Sequence, residues 1–377
     1  MKRLHTAGLV SLLGLLLPCA GAFGAYLQSD TRESGRGGEF VPRPPPIPPP
    51  PPRDSNPLRD LVRRVDVGRP YHYRGLTVFP LVLRDGPVNT DIRTLDEAVS
   101  AGWLSVRELD EARVASVHVR NDSRHPVFLM AGEILLGGRQ NRIVREDSLL
   151  DAESGVVEIP VYCGEKERWV GVKEDFGGAG GLVNQELRGL AARGASQGEI
   201  WSSIDRQLSA AKASAPTRSY QDIYATEAVR RETEDTVGRL GDLRGRGTVG
   251  VVTFVGGRML SCDVFEDSEL FGRLWNKICQ AQAVDGYMGG YVRDSWRRPD
   301  DTDAGTVRRF LRDVAEARLT PTDTPASGRA WVVSGEADGR ALIWRDRVVH
   351  AALFPGWRVA PLPEPGPRPL PFPRVIE

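Results

Sequence analysis

Two short segments hold most of the residue types that could do chemistry. The first runs from Gly132 to Val144 (GEILLGGRQNRIV) and sets four polar residues, Arg139 to Arg142, inside an apolar frame. The second, Cys163 to Trp169 (CGEKERW), closes an apolar run with acidic, basic and aromatic groups. Glu133 and Glu165 are the carboxylates here that could move a proton as general acid or base. Arg142 and Arg168 present planar forks of donors that match a carboxylate or a phosphate. Gln140 and Asn141 add neutral donors and acceptors, and Trp169 adds a plane for stacking. If 139–142 continue a strand, Arg139 and Asn141 share one face, and Gln140 and Arg142 the other. At least one pair then faces solvent, joins a buried network or lines a pocket, because unpaired polar burial is costly. Two readings follow. In one, Glu133 and Glu165 are catalytic, while Gln140, Asn141, Arg142, Arg168 and Trp169 hold a small anionic ligand. In the other, the glutamates pair with Arg142 and Arg168 in a structural network, and Trp169 is a core residue.

Other chemistries find little support. There is no GxSxG, HExxH, Walker loop or GxGxxG that opens a helix after a strand. No CxxC pair exists and histidine is scarce, so neither a Cys/His zinc site nor any other metal or cofactor is expected. The 50 basic residues balance 50 acidic ones without a basic block, which argues against nucleic acid as a partner.

The elements that must position these residues are mixed. Residues 70 to 170 read as a run of antiparallel strands: Tyr71 to Leu83, Val114 to Arg120, Val127 to Met130, Glu133 to Val144 broken at Gly137 and Gly138, and Val156 to Cys163. Thr94 with Glu97 three residues later predicts a capping box on a short helix that Gly102 closes. Glu199 to Ala213 has helical spacing, and Ser219 to Leu243 reads as one long charged helix. Thr248 to Val255 and Arg258 to Phe265 predict a hairpin. Helices from Ser268 and over Val307 to Leu319 follow, then strands at Ala330 to Ser334 and Val348 to Phe354. The fold class expected is α+β: an antiparallel β-rich N-terminal half, sandwich- or barrel-like, then helices and a β-hairpin–helix–helix–strand C-terminal part. One such domain is expected over 58–355, with its β-rich part at 70–170, a helical connector at 199–243 and an α/β part at 248–355.

The ends carry different signals. Lys2, Arg3 and His5 precede an apolar run from Ala7 to Leu17; Pro18 breaks it, and Ala20-Gly21-Ala22 offers small residues for cleavage. A signal peptide over 1–22 and export to the periplasm, envelope or medium are therefore expected. The run is shorter than the about 20 apolar residues that span a bilayer, so the mature chain should carry no transmembrane segment. Lipidation at Cys19 is the alternative, though Leu17 and Pro18 suit it poorly. A spacer over 23–57 contains the proline tract Pro42 to Pro52, a polyproline II former, and a proline-rich tail covers 356–377. Cleavage leaves Cys163, Cys262 and Cys279. Cys262 and Cys279 could meet in a disulfide, and burial as small apolar residues serves equally.

The two polar segments, in this order, resemble the uncharacterised domain family associated with ADP-ribosylglycohydrolases and rhodanese-phosphatase-superfamily proteins. The residues that carry the likeness are Gly132, Glu133, Leu135, Gly137, Gln140, Asn141 and Arg142, then Ile159, Pro160, Val161, Cys163, Glu165, Arg168 and Trp169. Ile200-Trp201, Ser219 to Tyr224, Gly256-Gly257, Asp263 to Phe265, Leu270-Phe271 and Leu274-Trp275 extend it over roughly 70–355. This chain departs from the pattern at Ile134, where an acid is usual, at Arg139 for lysine and at Glu167 for glycine. The resemblance implies no set reaction. Its namesakes suggest nucleotide- or sugar-phosphate-like ligands, which sits uneasily with export. An exported domain that binds or processes such an anion is one expectation; a non-catalytic structural or interaction module of the envelope is the other.

Overall fold

A computed structural model describes residues 56–108, 115–168, 175–245, 247–289 and 302–356. The stretches expected as signal peptide, spacer up to Ser55 and tail beyond Gly356, and also Trp169, lie outside the described residues. Asn56 and Pro57, expected in the spacer, instead cap and start helix α1 (Pro57–Arg64): the Asn56 side chain accepts from the Arg59 amide.

Strands β1 (Val65–Val67), β2 (Tyr71–Tyr73) and β3 (Leu76–Leu83) follow, then β4 (Arg93–Thr94), α2 (Leu95–Ser100), β5 (Leu104–Glu108), β6 (Ser116–Asn121) and β7 (Val127–Leu129). Next come β8 (Glu133–Gly137), β9 (Arg142–Val144), β10 (Ser148–Leu150), β11 (Gly155–Cys163) and β12 (Phe176–Leu182). Helices α3 (Gln185–Ala192), α4 (Gln197–Ala211), α5 (Gln221–Ala225) and α6 (Glu227–Leu240) form the middle. The chain ends in β13 (Thr248–Val255), β14 (Arg258–Val264), α7 (Ser268–Gly289), α8 (Ala304–Glu316), β15 (Arg318–Thr322), β16 (Arg329–Ser334), β17 (Ala337–Trp344) and β18 (Arg347–Pro355). The molecule is thus α+β, β-rich first, with helices and further strands after.

The strands make three sheets. A large antiparallel sheet runs β1-β3-β13-β14-β18-β17-β16-β15, with β2 added to β3. Its centre is buried on both faces, and every residue of β13 is buried. One face carries Phe79, Val252, Phe254 and Leu353 against the apolar sides of α1 and α8; the other packs Val78, Val251 and Val349 against Phe271, Leu274 and Trp275 of α7. Two smaller sheets, β12-β8-β9-β11-β6-β5 and β10-β7-β4, share a second core of Val117, Val119, Val127, Leu129, Leu150 and Ile159. Helices α3 to α5 cover the far side of the six-stranded sheet through Ile143, Leu187, Ile204 and Tyr220.

Two expectations change in detail. The N-terminal strands are not self-contained, because β3 lies in the large sheet beside β13. The long charged helix is two helices, α5 and α6, that meet at Thr226, which leaves the helical region with φ −68° and ψ 126°. The glycine-rich β12 had no strand signature. Its glycines serve close approach: a Cβ on Gly181 would lie 2.6 Å from the Tyr224 ring.

Candidate functional site

The two polar segments meet, but as a clamp. Residues 138–141 are a turn rather than strand, entered through Gly137 at φ +129° and Gly138 at φ +56°, so the expected alternation of faces does not apply. Glu165 is 2 % exposed and accepts from the Asn141 amide at 3.0 Å and from Arg168 Nε at 2.9 and 3.0 Å. The rest of the Arg168 guanidinium donates to the Gly138 carbonyl at 3.1 Å, the Gly137 carbonyl at 3.3 Å and Asn141 Oδ1 at 3.2 Å. Asn141 also donates to Ser219 Oγ at 3.1 Å, and Gln140 Nε2 to the Lys166 carbonyl at 3.2 Å. Burial opposes ionisation of Glu165, but the bonds from Arg168, Thr217 and Asn141 outweigh it and hold the carboxyl below its usual range.

Arg142 points the other way. Its Nη2 lies 3.0 and 2.9 Å from the two oxygens of Glu108, and its Nη1 donates to Cys163 Sγ. Glu108 was not among the expected residues, since it ends a strand with no apolar partner pattern of its own. The Cys163 thiol is pushed up to about 11 by burial, so it is no nucleophile near neutrality. Cys163, Cys262 and Cys279 are all free and buried.

Glu133 stands apart from the clamp. It is wholly buried at the start of β8, where Oε1 takes Lys277 Nζ of α7 at 2.7 Å and Oε2 takes the Met130 amide at 2.8 Å. Lys277 also reaches Asp96 at the first turn of α2. Burial raises the pKa of Glu133, and the neighbouring Asp96 adds to this.

Sequence reasoning missed a second buried network. Asp263 of β14 takes Arg188 of α3 at 2.6 and 3.1 Å and His350 Nε2 of β18 at 3.2 Å. His350 Nδ1 lies 2.7 Å from Asp147, and its ring stacks on Phe265 at 4.4 Å between centroids. Both partners of the imidazole are acceptors, so both ring nitrogens must carry protons. The signal available was an ionisable residue inside an apolar strand: SCDVF for Asp263 and VVHAA for His350. From Arg188 the chain of bonds passes to Gln185, and Gln185 with Asn184 holds Asp285 of α7 at 3.0 and 2.9 Å.

A third cluster contains arginines that are not fully bonded. Arg340 Nη1 and Nη2 and Arg145 Nε are buried with no hydrogen-bond partner. Arg340 is anchored by Nε to the Ala192 carbonyl at 2.9 Å, and the Arg145 guanidinium lies 5.4 Å from the centre of the Tyr162 ring. Burial lowers the pKa of Arg340, opposed by Glu146, with the like charge of Arg145 adding to the shift. Among the described residues no group of three or more His, Cys, Asp or Glu is arranged to hold a metal ion, and no helix is long and apolar enough to cross a membrane.

The model of the ARG and Rhodanese-Phosphatase-superfamily-associated Protein domain matches residues 64–354. The chain belongs to that family. The match includes the clamp, the buried network and the Arg145–Arg340 cluster, so all three lie within the family domain. No curated protein and no solved structure matches the chain.

Truncating one partner of the Glu108–Arg142 pair strands a buried charge. Arg142→Ala should therefore cost about 3–5 kcal/mol, read as a fall in the denaturation midpoint, and Glu108→Gln should restore part of the loss in the double variant. The imidazolium gives a pH test. Burial works against its charge, but Asp147 and Asp263 raise the pKa of His350 above 6.5. Its stabilisation is complete below the unfolded value and is lost as pH rises through the folded one. In denaturant titrations the stability gap between the parent chain and His350→Asn should shrink across this window; a gap independent of pH between 6 and 10 (roughly the histidine range and beyond) contradicts the charged state.

Proposed function

We propose that this chain is an exported domain that binds a small anionic ligand, with the anion held by Arg145 and Arg340. The observation that carries the proposal is the pair of buried, unpartnered Nη nitrogens on Arg340 beside the unpartnered Nε of Arg145. A buried guanidinium nitrogen without an acceptor costs free energy. Two guanidinium groups close enough to repel invite a group with negative charge and several acceptor oxygens, and a phosphate or carboxylate has both. Glu146 lies near both arginines; burial raises its carboxyl, and Arg340 and Arg145 oppose that shift. The arginines first expected to hold the ligand, Arg142 and Arg168, are engaged by Glu108, Cys163, Glu165 and carbonyl oxygens. That engagement, which leaves only Arg142 Nε among their buried nitrogens without a partner, favours a second reading, a non-catalytic structural or interaction module of the envelope. Support for export comes from the basic start, the Ala7 to Leu17 run and the Ala20 to Ala22 site.

Calorimetric titration with inorganic phosphate and ribose 5-phosphate decides between the readings. Binding by the parent chain, weakened about tenfold or more in Arg340→Gln and in Arg145→Gln, is expected, because each removed charged bond is worth about 1.5–3 kcal/mol. If neither probe binds, or if both variants bind as the parent does, the module reading prevails. Export is checked separately by N-terminal sequencing of the mature chain, which should begin at Phe23; an intact Met1 on the recovered protein excludes cleavage.

A further inference from the structure

Most buried carboxylates among the described residues have a resident cation. Glu108 has Arg142, Glu133 has Lys277, Glu165 has Arg168, Asp263 has Arg188, and Glu266 has Arg64 and Arg347. Asp267 instead caps α7, accepting from the Glu269 and Leu270 amides. Asp338 accepts from the Gly335 amide, and Asp285 has neither a resident cation nor a cap of this kind. Oδ1 accepts from Asn184 Nδ2 at 2.9 Å, and Oδ2 from the Gln185 amide at the N-terminus of α3 at 3.0 Å. These donors suit a carboxylate, yet Asp285 makes no ion pair among the described residues. It borders a cavity of about 190 Å³ lined by Met259, Leu260, Met288 and Pro355, with Glu186 and Arg258 also on its wall.

We propose that this cavity binds a small organic ammonium ion, with Asp285 as its counter-charge and the methionine and leucine side chains around its apolar body. The donors for an ionised carboxylate are built in, and among the described residues neither Arg258 on the wall nor any other cation forms an ion pair with it. A cation that enters the cavity supplies that charge at a distance where desolvation strengthens the attraction. The apolar walls select an organic cation over a hydrated metal ion, which demands oxygen ligands.

Binding is coupled to a proton. Without a cation, burial pushes the Asp285 carboxyl up to about 8, against the bonds from Gln185 and Asn184. Glu186 adds to this shift and Arg188 opposes it, while Tyr220 and Tyr224 face the same carboxyl as neutral phenols held high by burial. Arg258 lies at the cavity wall. The protonated carboxyl therefore releases its proton to solvent as R–NH₃⁺ enters, and the ion pair replaces the O–H bond. No electrons move and no other reactant is needed.

The test is calorimetric titration of the whole chain with n-butylammonium, using n-butanol as the uncharged probe of the same shape. Butylammonium should bind with proton release, its affinity rising about tenfold per pH unit below pH 8 and levelling above it. Butanol should bind at least about tenfold more weakly, the scale of one lost ion–hydrogen-bond contact. Asp285→Asn should abolish the preference for the cation. Leu260→Trp, which fills the cavity from a half-buried position and leaves Asp285 in place, should block both probes. Equal binding of the two probes, an affinity independent of pH, or no binding of butylammonium at all overturns the proposal. The phosphate response at Arg340 reads a different site and stays intact in both variants if they are folded.

Discussion

The arrangement of the molecule turns on one buried carboxylate. Asp263 sits in the buried last part of β14, next to β18, and can neither reach solvent nor stay there unpaired. Two cations answer it: Arg188 from α3 and the His350 imidazolium from the neighbouring strand, which is balanced in turn by Asp147. Two positive and two negative groups thus cancel inside the protein, the condition under which a buried network is tolerable. Each partner comes from a different place. Arg188 fixes how α3 lies against the large sheet, and its Nε donates to the Ala131 carbonyl at 3.3 Å. Asp147, in the loop between β9 and β10, accepts from the Ala131 amide at 2.8 Å. The turn between β7 and β8 is therefore held from both sides by groups whose other ends are in the large sheet. The contact between the small sheets and the large one is set by charge, while apolar packing on either side supplies the bulk of the burial.

The same device recurs at smaller scale. Glu133 and Lys277 tie β8 to α7, Glu108 and Arg142 tie β5 to β9, and Glu165 with Arg168 fastens the chain after β11 onto the Gly137–Gly138 turn. In net stability such pairs differ little from apolar isosteres of equal volume, because desolvation offsets the attraction. What they contribute is register. A strand slipped by one residue would leave each charge facing an apolar wall, at a cost no local packing offsets.

Much of the fold was legible because its signals are local. The Thr94–Glu97 capping box, the β13–β14 hairpin at Gly256-Gly257 and the α7 stripe of Leu270, Phe271, Leu274 and Trp275 all appear where periodicity and turn chemistry put them. β12 and β17 were not legible. The first, FGGAGGL, has almost no side chains to pattern, and its place is set by β8 and by the Tyr224 ring above it. The second, ADGRALIW, mixes polar and apolar residues: Asp338 accepts from the nearby Gly335 amide, Gly339 lies too close to the Ala352 carbonyl for a Cβ, and Arg340 donates to the distant Ala192 carbonyl. The polar segments were recognised as unusual, but their pairing was not. Arg142 takes Glu108, 34 positions earlier, in place of either expected glutamate, and spacing along the chain holds no record of such a choice.

The distribution of unpaired charge separates architecture from function better than residue type does. Arg142, Arg168 and Arg188 look like ligand-binding arginines by composition, and each is engaged by carboxylates, carbonyls or sulfur within the fold, with only Arg142 Nε left without a partner. Arg340 is anchored by one nitrogen and leaves two buried ones without partners; Asp285 is held by two donors and lacks a counter-charge. Native proteins rarely leave buried polar groups unsatisfied, since each costs about 1–3 kcal/mol. A domain able to satisfy Asp263 with two cations from two elements has the means to satisfy these as well. That it leaves two Arg340 nitrogens without acceptors and the hydrogen-bonded Asp285 without a cation, at opposite ends of the eight-residue helix α3, is the physical reason to look for ligands there, an anion at Ala192 and Arg340 and a cation at Asn184 and Asp285.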